Sequence, residues 1–255
     1  MPGSASEQRA KMMLEEPISK VIPRLALPTI VSMLISSVYN MADTYFVSQI
    51  GTSASGAVGV IFSAMSLIQA VAFMFGMGAG TNVSQALGAR DEERAQRFAA
   101  TSFFTAFATG ILIAVVCNLS IDPLVRFLGA TETIAPYAKD YASYIFYAAP
   151  FMMCSFVMNN LLRFEGLAFY GMIGIASGGV LNMVLDPLLI FGLDMGVAGA
   201  AVATVTAQTC MALYVIFQLR RPNIPIRLGL HSWKSALCRR IVTIGSMSFL
   251  ITILD

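Results

Sequence analysis

The sequence predicts an all-α integral membrane protein, a bundle of six transmembrane helices followed by an incomplete seventh helix. Hydrophobic residues make up 57% of the 255 residues and charged residues only 12%, whereas soluble domains carry about 25% charged residues. Six apolar runs reach the roughly 20 residues that a helix needs to cross the hydrocarbon. They lack the alternation of a membrane β-barrel. The low charge excludes a nucleic-acid-binding protein and an ordinary soluble enzyme.

The chain opens with the polar segment 1–20, which lacks the apolar core of a secretory signal. We therefore expect the first apolar run to remain in the membrane as a span. The six spans form a predicted transmembrane lobe over 21–220. Their expected positions are near 25–47, 56–81, 98–119, 141–161, 168–191 and 197–218.

After the sixth span, Pro222 and Pro225 end the helix because proline lacks the N–H that a helix interior needs. The basic segment 221–240 is predicted to be a cytoplasmic linker. It contains a short amphipathic stretch around Trp233, which we expect to form an interfacial helix with the indole at headgroup level. A seventh helix is predicted to start at Ile241 and to occupy 241–255, which is short for a full span.

Lysine and arginine positions predict the orientation. With a cytoplasmic N-terminus, every basic residue except Arg126 and Lys139 falls in a cytoplasmic segment. Because cytoplasmic loops carry an excess of Lys and Arg, we expect a multi-pass protein of the plasma (inner) membrane. The acidic residues Asp91, Glu92 and Glu93 come at the start of the third span, where negative charge suits the helix dipole.

The residues that usually mark catalysis or metal binding are scarce. His231 is the only histidine, and none of the four cysteines belongs to a CxxC pair. The glycines of 76–80 (GMGAG) do not fit a phosphate-binding loop. We therefore expect no enzyme activity and no cofactor, and we expect energy to come from an ion gradient rather than from ATP.

Asp186 is the strongest candidate for a functional residue, since an intramembrane carboxylate costs about 2.5–3.5 kcal/mol on insertion scales and marks function by default. Asn182 precedes it by one helical turn, so both side chains share a face. Pro187 follows and frees a backbone carbonyl one turn back. These hard oxygen ligands suit Na⁺ or a proton held on the carboxyl. The alternative is a structural Asp hydrogen-bonded to a neighbouring helix.

Asp43 is the second candidate, in the first predicted span. Tyr39 and Asn40 precede it by four and three residues, so the three polar groups form one stripe, which we expect to face the bundle interior. Thr204 on the sixth span adds a hydroxyl to the same expected cavity. Tyr144 belongs to an aromatic cluster that either forms an interfacial belt or lines a cavity for aromatic cations.

At these residues the sequence resembles the multidrug and toxic compound extrusion (MATE) family of cation antiporters. The similarity covers nearly the whole chain. The matching segments are YNMADTYFVSQIG, GAGTNVSQALGARDEERAQR, RFEG and LNMVLDPLLIFGLDMGVAGAAVAT.

The resemblance implies a twelve-helix fold in two six-helix lobes that form a V and alternate access by rocking. This chain is similar to the first lobe, the linker and the start of helix seven. In the branch of the family with a cation site in that lobe, the resemblance implies that the site comprises the four residues Asp43, Asn182, Asp186 and Thr204.

The leading functional interpretation is the N-terminal half of a secondary antiporter. It exports organic, cationic compounds in exchange for H⁺ or Na⁺. The expected partners are small organic substrates, membrane lipid, and a second lobe or a second copy of the chain; nucleic acid is not among them. Two alternatives are a lipid-linked saccharide flippase, which needs a basic cavity that the spans lack, and a non-transporting fragment or membrane scaffold.

Overall fold

The structure is a computed structural model that describes residues 15–219, 229 and 232–254. The regular secondary structure of these residues is helical throughout. A π-helical turn, Leu188–Gly192, follows the sixth of the α-helices. The α-helices are α1 (Ile18–Ser48), α2 (Thr52–Gly88), α3 (Glu92–Leu119), α4 (Ile121–Phe127), α5 (Ala135–Phe164), α6 (Ala168–Pro187), α7 (Gly196–Leu219) and α8 (Ser235–Leu254).

Seven helices of the described chain are long and apolar enough to cross a membrane, with α6 and the π-helical turn counted as one. The predicted all-α membrane fold is therefore confirmed. The helices extend past the apolar runs from which they were predicted: α1 begins at Ile18 and α2 continues to Gly88. Apolar runs mark only the hydrocarbon layer, whereas the hydrogen-bonded turns continue into the polar headgroup region.

The centre of the bundle is α5, whose most apolar stretch is 83% buried. It packs against α2, α3 and α7, while α1 lies at the periphery against α6. Many of the fully buried positions are alanines, which let helix backbones approach closely. Buried alanines contributed by these four central helices include Ala57, Ala99, Ala142, Ala149 and Ala200.

The seventh span is longer than the sequence analysis predicted. Helix α8 begins at Ser235 rather than at Ile241, and its 20 residues are enough to span the hydrocarbon. Its first turns contain the basic residues Arg239 and Arg240, which is why the apolar run starts later than the helix. Of the predicted linker 221–240, residues 221–228, 230 and 231 lie outside the described residues. The amphipathic stretch around Trp233 does not form a separate interfacial helix among the described residues, because the part from Ser235 onward belongs to α8.

Helices α2 and α8 cross with their backbones in direct contact at two glycines. A Cβ added to Gly78 would stand 2.0 Å from the carbonyl oxygen of Ile241, and one added to Gly245 would stand 1.9 Å from that of Met74. Only glycine fits at such a crossing because the obstructing atoms belong to the opposite backbone. The crossing therefore fixes α8 against the second span.

The start of α3 follows the charge pattern of the sequence, whereas α4 was not predicted. The Asp91 carboxylate accepts a hydrogen bond from the Arg94 backbone N–H at 3.0 Å and caps the helix. Helix α4 has only seven residues, too few to produce a recognisable run. Its Asp122 forms an ion pair with Lys139 of α5.

Candidate functional site

Three polar side chains from α6 and α7 meet inside the bundle. The Asn182 Nδ2 group donates to Asp186 Oδ1 at 3.3 Å and to Thr204 Oγ1 at 3.4 Å. Asp186 is fully buried, Asn182 is 2% exposed and Thr204 is 8% exposed. The helical spacing of Asn182 and Asp186 therefore produces the shared face that the sequence predicted, and α7 adds the hydroxyl.

Several oxygens of this cluster lack a hydrogen-bond donor. Asp186 Oδ2, Asn182 Oδ1 and Asp43 Oδ1 are buried and have no hydrogen-bond partner among the described residues. A buried acceptor without a donor costs about 1–3 kcal/mol, and more when it is charged. A proton or a cation bound at these two carboxylates and the amide oxygen would offset the cost of burial.

Asp43 approaches the same cluster from α1. Its carboxylate interacts electrostatically with Asp186 on α6 and with Tyr39 one turn earlier on its own helix. Gly179 of α6 gives the Tyr39 ring its space, because a Cβ there would stand 3.1 Å from Tyr39 Cδ1. Helices α1, α6 and α7 thus each contribute polar groups to one region of the bundle interior.

A small cavity lies beside these groups. Its volume is about 40 Å³, which exceeds the roughly 10–15 Å³ that a water molecule requires. Pockets for drug-sized ligands measure about 300–1,000 Å³, so this cavity suits an ion or a few water molecules. Its lining residues are Ser36, Tyr39, Phe156, Ile175, Gly178, Gly179, Asn182, Thr204, Ala207, Gln208 and Met211.

Tyr141 is a member of the site that sequence reasoning missed. Its side chain is 1% exposed and lies close enough to Thr204, Asp43 and Asp186 to interact electrostatically with them. Its signal in the sequence is weak, because Tyr141 is one of several aromatic residues near the start of α5. Its position on the buried face distinguishes it from Tyr144, which is 40% exposed.

Two of the predicted supporting residues lie away from the cluster. Tyr144 faces the outside of the described bundle, and so does Asn40, whose backbone carbonyl accepts a hydrogen bond from Thr44 Oγ1 at 2.9 Å. The expected stripe on α1 therefore faces the interior at Tyr39 but not at Asn40. Of the supporting residues, only Tyr39 lines the cavity.

The helix geometry changes immediately after Asp186. Pro187 is the last residue of α6, and the following Leu188–Gly192 turn is π-helical. The Leu193 N–H donates to the Leu188 carbonyl at 3.0 Å, a spacing of five residues. Single π-helical turns in α-helices are frequent at functional sites, and this one begins two residues after the buried carboxylate.

The donor set fits a hard monovalent ion or a proton. Carboxylate, amide and hydroxyl oxygens are ligands that hard cations prefer. Within the ranges that the structure describes, no three His, Cys, Asp or Glu side chains converge into a group that could hold a metal ion. The chemistry of the cluster is therefore that of oxygen ligands around two acids.

Comparison with known proteins gives consistent results. The MatE family model matches residues 28–188. The multidrug export protein MepA of Staphylococcus aureus (strain MRSA252) is 28% identical over 243 residues, which cover 94% of this chain and 54% of that protein. MepA of Staphylococcus haemolyticus (strain JCSC1435) is 29% identical over 243 residues, which again cover 94% of this chain and 54% of that protein.

Solved transporter structures share the fold. A MOP superfamily transporter from Pyrococcus furiosus Vc1 (DSM3638) superposes with a TM-score of 0.88 and 30% identity, over 96% of this chain and 55% of that one. An outward-facing multidrug resistance MATE family transporter superposes with a TM-score of 0.85 and 29% sequence identity, over 98% of this chain and 53% of that one. The chain spans about half the length of the relatives and solved structures that it matches.

Proposed function

The chain belongs to the MatE family, and from this premise we propose that it is the N-terminal lobe of a secondary active multidrug efflux antiporter. It exports organic, cationic compounds in exchange for H⁺ or Na⁺. Relatives named multidrug export proteins support the export of drugs. Because the chain spans about half of their length, we propose that it works with a second lobe or with a second copy of itself.

The observation that supports ion coupling is the set of buried oxygens without a donor. Asp186 Oδ2, Asn182 Oδ1 and Asp43 Oδ1 have no hydrogen-bond partner among the described residues. One proton or one Na⁺ bound among them supplies the missing positive charge. One elementary charge moved through 100 mV releases about 2.3 kcal/mol, which is the order of energy needed to accumulate a substrate against a gradient.

The proposed mechanism joins ion binding to the position of α1. Asp43 lies on α1 and Asp186 on α6, so the two negative charges repel each other when the site holds no ion. Ion binding removes this repulsion and lets α1 pack more closely on α6. Pro23 and Pro28 interrupt the hydrogen bonding of α1 and allow the helix to bend. The altered cavity then displaces the bound drug.

The drug itself requires a larger site than the 40 Å³ cavity. We propose that it binds against the face of this lobe that the second lobe or second copy covers. The lining residues of the cavity include no lysine or arginine, so this cavity offers nothing that favours the pyrophosphate-binding flippase alternative.

Dye efflux from proteoliposomes tests the proposal. The chain is reconstituted alone, and efflux is driven by an imposed H⁺ or Na⁺ gradient. We expect Asp186→Asn to reduce gradient-driven efflux at least tenfold because it removes a charge that the ion neutralises. The matched control is Asp194→Asn, which makes the same chemical change at an exposed position after the π-helical turn and is expected to leave efflux unchanged.

The gradient that drives efflux identifies the coupling ion. Full efflux in Asp186→Asn would refute the coupling role of this carboxylate. If the wild-type chain shows no efflux under either gradient, transport by this chain alone is refuted. Ion binding is then measured directly by thermal stabilisation of the detergent-solubilised chain with Na⁺ against K⁺ and across pH, again with Asp186→Asn and Asp194→Asn.

A further inference from the structure

Two arginines from different helices meet at one aromatic ring, where α3 and α8 begin on the same face of the bundle. The guanidinium carbons of Arg94 and Arg240 each lie 5.9 Å from the centroid of the Phe98 ring. Phe98 is 1% exposed, whereas both arginines are exposed. The ring holds the two cations by cation–π attraction. We refer to these three residues as the arginine–phenylalanine cluster.

The acids at the start of α3 form no ion pair with the cluster among the described residues. Asp91 caps α3 by accepting from a backbone N–H, and Glu93 forms an ion pair with Arg97. Among the described residues, no carboxylate oxygen lies within ion-pair distance of Arg94 or Arg240. The two guanidinium carbons are no more than about 12 Å apart, so both exposed cations belong to one surface patch.

The segment that precedes α8 is bound to α3 beside the cluster. The Lys234 backbone N–H donates to Thr101 Oγ1 at 3.1 Å, and Trp233 Nε1 donates to Thr105 Oγ1 at 3.4 Å. These bonds fix the position at which α8 begins. They also hold Lys234 and a half-exposed indole against α3, and indoles of this kind concentrate at the headgroup level of membranes.

We propose that the arginine–phenylalanine cluster binds the phosphate of an anionic phospholipid. Planar guanidinium groups match phosphate oxygens in two-point hydrogen bonds. The positive ends of the α3 and α8 dipoles point to the same region. A lipid fits better than a free anion because the exposed apolar side chains of α8, including Met247 and Leu250, continue from Arg240 into the membrane and accommodate an acyl chain.

Thermal unfolding of the purified chain in a neutral detergent tests the proposal. Phosphatidylglycerol is added, with phosphatidylcholine as the uncharged comparison. We expect phosphatidylglycerol to raise the wild-type Tm by about 3 °C or more at saturation, and Arg94→Gln/Arg240→Gln to abolish this increase. The matched control, Arg126→Gln/Lys139→Gln, removes the same charge at the opposite face and is expected to retain the full increase.

Three results would overturn the proposal: an equal Tm increase in the Arg94→Gln/Arg240→Gln variant, an equal increase with phosphatidylcholine, or an equal increase with inorganic phosphate alone. The last would identify a general anion site. If the double glutamine variant does not fold, native mass spectrometry of the wild type decides. The proposal is supported if the wild type retains phosphatidylglycerol and the Arg94→Lys/Arg240→Lys variant retains less of it. The proposal is refuted if the wild type retains phosphatidylglycerol and phosphatidylcholine equally.

Discussion

At the scale of single residues, Thr204 can distinguish the two candidate coupling ions. Its hydroxyl oxygen accepts a hydrogen bond from Asn182 and lies beside the two acids. A bound Na⁺ would use this oxygen as a ligand. A proton held on a carboxylate would not need it. If Na⁺ is the ion, we expect Thr204→Val to weaken Na⁺ affinity about tenfold, which corresponds to about 1.4 kcal/mol. Titration of the Tm with Na⁺ at constant ionic strength measures this effect.

The matched control is Thr206→Val on the same helix, where the hydroxyl donates to the Val202 carbonyl at 2.7 Å and contributes nothing to the cluster. Thr206→Val is expected to keep the wild-type Na⁺ affinity. A Thr204→Val protein with wild-type Na⁺ affinity would exclude the hydroxyl as a Na⁺ ligand. A wild-type protein whose Tm does not respond to Na⁺ would favour a proton.

The residues of the site differ in how far the sequence could predict them. Asn182 and Asp186 lie one turn apart on a single helix, so their proximity follows from helix geometry alone. Tyr141 and Asn40 depend on how α5 and α1 are rotated about their axes. In a membrane, lipid-facing and buried positions are both apolar, so the hydrophobic pattern does not determine that rotation.

At the scale of helices, the α2–α8 crossing should be intolerant of any side chain. A methyl group at Gly78 would stand 2.0 Å from the Ile241 carbonyl oxygen, which only a displacement of α8 can relieve. We expect Gly78→Ala to destabilise the protein by about 1–3 kcal/mol, the usual cost of overpacking. The Tm of the purified protein in detergent measures the loss.

Gly59→Ala on the same helix is the matched control, since no atom lies within 4 Å of a Cβ at that position. Alanine is the better helix former by about 1 kcal/mol, so the control is expected to equal or exceed the wild-type Tm. A Gly78→Ala protein as stable as Gly59→Ala would contradict the close crossing.

The lengths of the helices show a limit of hydropathy. The apolar runs located every span, but the polar first turns of α8, from Ser235 to Arg240, were assigned to the linker because charge interrupts the run there. Helix α4 has seven residues and depends on its packing against α5. Short helices are stabilised mainly by such tertiary contacts, which a single sequence does not reveal.

At the scale of the whole molecule, the basic residues predict the orientation. We expect a cysteine at Glu132 to react with a membrane-impermeant maleimide in intact cells, in a background without the four native cysteines. A cysteine at Glu92 is the matched control and should react only after permeabilisation, because it lies on the face that carries the arginine–phenylalanine cluster and is predicted to be cytoplasmic. Both positions are exposed. The reverse labelling pattern would overturn the predicted cytoplasmic N-terminus.

The packing of the lobe is uneven. Helix α5 is enclosed by its neighbours, whereas only 6% of the most apolar stretch of α1 is buried. This asymmetry agrees with a lobe that has an internal core and an outer helix free to move against it. A second lobe or a second copy of the chain would cover further surface, and native mass in detergent would distinguish a monomer from a dimer.

The described part of the chain has an odd number of candidate spans, which has a practical consequence for the placement of a reporter. If each of these seven helices crosses the membrane, Glu15 and Leu254 lie on opposite sides of it. A fluorescent protein or an affinity tag placed next to one of these residues occupies a different compartment from a tag placed next to the other. A fluorescent reporter that matures only in the cytosol would therefore fluoresce in one of these two fusions and not in the other.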